Sequence, residues 1–295
     1  MEIEGVFPPV TTPFDDNGCI VYDQLAENIK RWNETDISGY LILGSNSESV
    51  FLNEEEKLEI VKTARESIPP SKKMLVGTGL ECTKGTIKFT RRAADCGADV
   101  AVVITPHFFR SNMSHEAFLK HYVMIADSSP IPVLLYNVPS FTGLNLEAGT
   151  ASALSSHENI IGIKDSSGNV EQLSEIISLT GDKEFSVLTG SSIVLYPSMC
   201  VGASGGIMAI ACALPEKCSD IIKLYKDGSH AEAKELQMRL IEPTIAVTSR
   251  YGVPGLKAAM ELTGYYGGRS RLPLLPVTSA EIEEIKNIFT AAGFI

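Results

Sequence analysis

A chain of 295 residues is long enough for two domains of roughly 150 residues or for one α/β barrel of about 250. With 44% hydrophobic and 21% charged residues, 24 Gly and 15 Pro, the composition excludes a disordered or fibrous chain. The net charge of −11, from 25 Lys and Arg against 36 Asp and Glu, repels phosphates and anionic lipid surfaces, so no nucleic acid and no membrane is expected as a partner.

The N-terminus shows neither a basic stretch followed by an apolar run nor an Arg-rich amphipathic segment, which predicts a cytoplasmic protein, although a trimmed organelle form looks the same. Apolar runs of strand length follow at 5–11, 39–43, 73–76, 100–105, 132–136, 160–164, 185–189 and 205–208, separated by amphipathic stretches of helix length. Some helix starts are readable. Asn53-Glu54-Glu55-Glu56 offers an N-cap and an acidic first turn ahead of Leu58, Ile60 and Val61, and Ser114-His115-Glu116-Ala117 repeats that logic. Eight strands alternating with helices predict an α/β fold, a (β/α)8 TIM barrel, where an open doubly wound sheet more often stops at about five to seven strands. Beyond the eighth run, 215–226, 230–248, 253–262 and 278–292 read as successive helices, a C-terminal helical extension. No Gly/Ser-rich or Pro-rich linker divides the barrel core, 1–214, from the last barrel helix and tail, 215–295, so one structural domain is expected, with the tail as a candidate oligomer surface.

One segment, 190–215, carries no formal charge and is long enough to cross a bilayer. Pro197, Gly202, Gly205, Gly206 and four serines interrupt it, which predicts a buried helix, a turn and a strand instead. The six cysteines, at 19, 82, 96, 200, 212 and 218, form no Cys-x-x-Cys pair and read as buried, reduced thiols. Histidines 107, 115, 121, 157 and 230 lack metal-ligand spacing, so no metal is expected.

In such a barrel the functional face lies where the strands end. The sixth run ends on Lys164, followed by Asp165-Ser166-Ser167-Gly168; the ordinary alternative is a Lys that is solvated or paired with Asp165. A Lys attacks a carbonyl only as the neutral amine, a form that desolvation by apolar walls favours. The fifth run ends on Tyr136, one strand away, where a phenol can relay a proton or simply be a core aromatic. After the second run, Gly44-Ser45-Asn46-Ser47-Glu48 forms a small polar turn whose N–H groups and hydroxyl can hold a carboxylate; the ordinary alternative is a plain strand-to-helix connection in which Glu48 only caps or braces the next helix. The glycines of Gly202-Ala203-Ser204-Gly205-Gly206 suit phosphate binding less well than close packing of a barrel strand.

Gly44-Ser45-Asn46-Ser47-Glu48, Tyr136-Asn137-Val138-Pro139 and Gly162-Ile163-Lys164-Asp165-Ser166, in register over nearly the whole chain, resemble the dihydrodipicolinate synthase and N-acetylneuraminate lyase superfamily of pyruvate-dependent class I aldolases. Within it, Arg239-Leu240-Ile241-Glu242-Pro243, Tyr251-Gly252-Val253-Pro254-Gly255-Leu256-Lys257 and Gly264-Tyr265-Tyr266-Gly267-Gly268 most resemble 4-hydroxy-2-oxoglutarate aldolases. The resemblance implies that Lys164 forms an imine with a pyruvyl carbonyl and Tyr136 shuttles the proton. It further implies that Ser45 and Asn46 hold the pyruvyl carboxylate, Gly190 and Ile207 line the pocket, and Ser166 faces the second substrate. It implies no metal and no organic cofactor, a small 2-oxo acid as substrate, and a homotetramer built as a dimer of dimers.

Three residues depart from the pattern. Phe141 stands where dihydrodipicolinate synthases place an Arg for the semialdehyde carboxylate; Phe108 stands where many members present a Tyr; Ser47 replaces the usual Gly of the turn. The expected reaction is therefore cleavage of 4-hydroxy-2-oxoglutarate to pyruvate and glyoxylate. The alternatives are aldol cleavage or dehydration of a 2-keto-3-deoxy sugar acid, dihydrodipicolinate synthesis, which Phe141 disfavours, and a non-catalytic oxo-acid-binding barrel.

Overall fold

Eight parallel strands close on themselves in the computed structural model, which describes residues 2–295. They are β1 (Gly5–Phe7), β2 (Gly39–Ile42), β3 (Lys73–Gly77), β4 (Val100–Ile104), β5 (Val133–Asn137), β6 (Ile160–Asp165), β7 (Ser186–Thr189) and β8 (Gly205–Ile207). Around them lie α1 (Tyr22–Asn33), α2 (Glu54–Ser67), α3 (Thr83–Asp95), α4 (His115–Ser128), α5 (Pro139–Thr142), α6 (Ala148–Leu154), α7 (Val170–Thr180), α8 (Leu195–Cys200) and α9 (Pro215–Lys226). The chain finishes with α10 (His230–Ile245), α11 (Gly252–Leu262) and α12 (Ser279–Ala291). The expected TIM barrel with a helical extension is thus the observed fold.

Ladders run in sequence order from β2 to β8, and β8 pairs with β1. The first strand was expected over 5–11 but stops at Phe7, because Pro8 and Pro9 have no N–H to donate. The barrel is nevertheless closed there: Pro9 bridges Leu41, Leu41 N–H donates to Pro8 O at 3.0 Å and Val10 N–H donates to Leu41 O at 2.9 Å. At the opposite seam, a Cβ on Gly205 would lie 2.1 Å from Gly5 O, so this glycine serves the close approach of two backbones.

Residues alternating along the strands fill the barrel with Phe7, Leu41, Leu75, Val102, Leu134, Leu188 and Ile207. The opposite faces pack against the helices. The predicted caps are present: Asn53 and Glu56 form a reciprocal capping box on α2, and the Ser114 side chain accepts from Ala117 N–H on α4. The helix expected over 230–248 is α only to Ile245 and continues as a π turn, Ala246–Arg250, just beyond Pro243, which removes one donor from the ladder. Segment 190–215 resolves into short helices, turns and β8, and no helix among the described residues is long and apolar enough to cross a membrane.

The expectation of buried thiols holds only in part. Cys212 and Cys218 are buried and desolvation pushes both thiols up, whereas Cys19, Cys82 and Cys200 are exposed and Cys96 is half-buried. The exposed three sit in the loop before α1, at the start of α3 and at the end of α8, where elements meet solvent. Among the described residues no group of His, Cys, Asp and Glu is arranged to hold a metal ion.

His121 on α4 gives the fold a pH dependence. The ring is buried, its Nδ1 shares a hydrogen bond with Thr83 Oγ1 at 2.9 Å, and its Nε2 has no partner. Burial pushes its pKa down to about 4, opposed in part by Glu81. A pKa depressed in the folded state means that the unfolded chain binds the proton first as pH falls below about 6.5. Stability is therefore expected to drop by about 3 kcal/mol between pH 6.5 and pH 4 on account of this group. Denaturant unfolding at pH 7 and pH 4.5 should show a smaller drop in His121→Leu than in the parent; equal drops would place the acid sensitivity elsewhere.

Candidate active site

Lys164 occupies the penultimate position of β6, in register with Tyr136 of β5 on one side and Leu188 of β7 on the other. Strand alternation points its side chain into the barrel with these neighbours. It is 4% exposed, its Nζ lies 4.1 Å from the Tyr136 ring centroid, and no ion pair or hydrogen bond among the described residues engages that nitrogen. A buried amine that no carboxylate or hydrogen-bond partner engages among the described residues is placed to add to a carbonyl as a nucleophile.

Asp165 is not its partner. One step along the strand, it faces the helices, where Oδ2 accepts from Asn137 Nδ2 at 2.8 Å and Gln172 Nε2 at 2.7 Å. Its Oδ1 accepts from Ser167 N–H at 2.9 Å and from the Ser167 hydroxyl. Asn137 extends the network to Asn145 and, through Oδ1, to Leu146 N–H. The ends of β5 and β6 are thereby locked together behind Tyr136 and Lys164.

A third element reaches the same point. The hydroxyls of Ser45 and Tyr136 are 3.3 Å apart, and either can be the donor. Ser45 begins a single 3-10 turn, Ser45–Ser47, bracketed by two non-glycine residues in the left-handed region, Leu43 at φ 58° and Glu48 at φ 54°. Each such residue costs about 1–3 kcal/mol and persists only where the surroundings over-determine it. Here the surroundings are explicit: the Ser47 hydroxyl donates to Val10 O and Thr12 Oγ1 donates to Ser47 O at 2.7 Å. Ser47, in place of the expected glycine, therefore ties the turn to the segment that follows β1.

The remaining predicted residues fall nearby in a looser grouping. Ser45 and Asn46 are half-buried, and the Asn46 amide makes no hydrogen bond among the described residues. Ser166 N–H donates to Asn137 O at 2.8 Å, and Gly190 N–H donates to Asp165 O at 2.6 Å. A Cβ at Gly190 would fall 1.8 Å from Ser166 Oγ, so the hydroxyl occupies the space that glycine leaves. Ile207, buried on β8, belongs to the interior apolar cluster that contains Tyr136.

Glu48 neither caps nor braces α2, as the ordinary strand-to-helix alternative would have it; Asn53 is the N-cap. The Glu48 carboxylate is buried and pairs with Lys257 of α11 at 2.6 Å, a contact invisible to local sequence reading because the two lie 209 residues apart. Thr105 is a second residue that strand counting passed over: its N–H donates to Tyr136 O at 3.3 Å and its buried Oγ1 has no partner.

Around the mouth, Phe108 is 76% and Phe141 64% exposed. Glu81 accepts from the main-chain N–H of both His107 and Phe108 at 2.9 Å, fixing that loop, and the Phe108 ring stands edge-on to Phe109. Arg110 is exposed, and its guanidinium lies 2.6 Å from where a Cβ on Gly143 would be, two residues beyond Phe141.

A profile of the dihydrodipicolinate synthetase family matches residues 2–292. The 4-hydroxy-tetrahydrodipicolinate synthase of Methanothrix thermoacetophila is 35% identical over 288 residues, which cover 97% of this chain and 96% of the relative. Among solved structures, a dihydrodipicolinate synthase from Bacillus anthracis superposes with a TM-score of 0.94 at 28% identity over 99% of both chains. A prophage protein of Escherichia coli K12, belonging to the dihydrodipicolinic acid synthase family and solved in complex with pyruvate, superposes with a TM-score of 0.93 at 28% identity, again over 99% of both.

Proposed function

Because the chain belongs to the dihydrodipicolinate synthetase family, which makes it a carbon–carbon lyase of the pyruvate-dependent class I aldolase type, we propose that Lys164 forms its imine with pyruvate. The observation that carries this reading is the buried Lys164 amine against Tyr136, whose hydroxyl meets that of Ser45.

The neutral amine adds to the ketone carbon, the carbinolamine loses water, and the protonated imine becomes an electron sink. In synthesis, loss of a methyl proton gives the enamine, whose carbon attacks an aldehyde. In cleavage, the C3–C4 bond breaks and leaves the same enamine. Tyr136, with the Ser45 hydroxyl behind it, moves the protons these steps require. Ser45 and Asn46 receive the pyruvate carboxylate, Gly190 and Ile207 line the pocket, and Ser166 faces the second substrate. The scheme needs neither metal nor organic cofactor.

The acceptor is where the relatives change the expectation. A 4-hydroxy-tetrahydrodipicolinate synthase matched end to end supports addition of pyruvate to aspartate semialdehyde over cleavage of 4-hydroxy-2-oxoglutarate. The Arg missing at position 141 no longer weighs against synthesis alone, since Arg110 reaches the loop that carries Phe141. Phe141 itself keeps a second reading, cleavage of 4-hydroxy-2-oxoglutarate or of a 2-keto-3-deoxy sugar acid, in which an apolar residue borders the acceptor. The same reading implies a homotetramer, a dimer of dimers, for which the exposed Phe108 is a candidate contact with a neighbouring subunit.

Incubation with pyruvate and borohydride is expected to add one pyruvate-derived group, mapped to Lys164. An unmodified intact mass would leave only the non-catalytic binder. With the adduct in place, pyruvate consumption with aspartate semialdehyde should exceed pyruvate release from 4-hydroxy-2-oxoglutarate and from 2-keto-3-deoxy acids; the reverse order would establish the second reading.

A further inference from the structure

Helix α11 and the chain beyond it meet Glu48, the residue that follows the Ser45–Ser47 turn. Glu48 Oε1 accepts from Lys257 Nζ at 2.6 Å, and Oε2 accepts from Arg271 N–H at 2.7 Å. Both side chains of the Glu48 and Lys257 pair are essentially inaccessible, at 1% and 2%. Lys257 also donates to the main-chain oxygens of Thr12 at 2.8 Å and Arg269 at 2.5 Å, and its ammonium lies 4.7 Å from the Phe14 ring centroid. Arg271 continues the strap, pairing with both oxygens of Glu56 and donating to Gly18 O and Phe51 O.

We propose that Lys257 is a positioning residue for pyruvate: by cancelling the buried charge of Glu48 it holds the Ser45-Asn46 turn ready for the pyruvate carboxylate. The proposal rests on the imine reading above. Glu48 follows Asn46 by two residues, so the anion that the turn receives and the anion behind it share one short segment. Two carboxylates in a poorly solvated region repel unless one is neutralised. Lys257 touches no reacting atom; it acts on the ligand through the turn. Glu48 also holds a left-handed backbone conformation, which a loose side chain would not maintain.

Removing one member of a buried ion pair and removing both have different consequences, because only the first leaves an uncompensated charge. In the full-length protein, Lys257→Met is expected to raise KM for pyruvate, and the pyruvate concentration that half-saturates borohydride trapping, by about 10-fold or more while kcat stays within about 3-fold. Glu48→Gln combined with Lys257→Met should bring both concentrations back to within about 3-fold of the parent. A merely structural pair would lower thermal stability without this separation of KM from kcat and without the recovery. A folded Lys257→Met protein with the parental KM, or a double variant as impaired as the single one, overturns the proposal. Should the single variant not fold, the double variant decides, since it buries no lone charge; a pyruvate KM still 10-fold high in the folded double variant is also fatal. Failure of the parent protein to trap pyruvate would instead remove the functional reading itself.

Discussion

Lys164→Met is expected to abolish turnover, by about 10⁴-fold or more, and to eliminate borohydride-dependent labelling by pyruvate. Methionine fills nearly the same space but has no nitrogen to form the imine, so the loss reports chemistry and not packing. The variant should be at least as stable as the parent. Lys164 is buried with no carboxylate partner among the described residues, and an apolar side chain removes the cost of desolvating an amine. Thermal unfolding followed beside the mass measurement tests both halves. A labelled or active Lys164→Met protein would remove imine chemistry at this position, and a marked loss of stability would show that the amine has a structural partner.

Tyr136→Phe is the second large effect, a fall in kcat of about 10² to 10⁴. The ring remains beside Lys164, so the packing that shields the amine is retained while the proton relay to Ser45 is cut. The imine should still be trapped, more slowly, which separates this residue from Lys164. Single-turnover trapping with saturating pyruvate makes the comparison direct. Parental rates in the Phe variant would mean that another group moves the proton, for which the unpartnered hydroxyl of Thr105, just after β4 and bonded through its N–H to Tyr136 O, is a candidate.

Much of this site is legible in one dimension because a parallel barrel imposes its own geometry. Once eight apolar runs alternate with helices, the last residues of each run must share one face, and Tyr136 and Lys164 are neighbours because β5 and β6 are. The boundaries that strand counting misplaced are those set by an absent donor: Pro8 and Pro9 end β1, and Pro243 precedes the change from α10 to a π turn. The cysteines show the opposite limit, since their burial depends on which face of a surface element meets solvent, and composition carries no record of that.

Sequence alone determined the barrel and the placement of Tyr136 and Lys164 at the ends of neighbouring strands, because hydrophobic periodicity and strand ends are local properties repeated along the chain. Tertiary structure alone decided that Asp165 turns away from Lys164 into a network with Asn137 and Gln172, and that Glu48 answers to Lys257 instead of to α2. Asp165 with Asn137 and Glu48 with Lys257 join residues 28 and 209 positions apart, and such contacts form only when folding brings both partners together and removes water from them. The tail that looked like a packed extension thus supplies the counter-charge behind the turn at the barrel mouth.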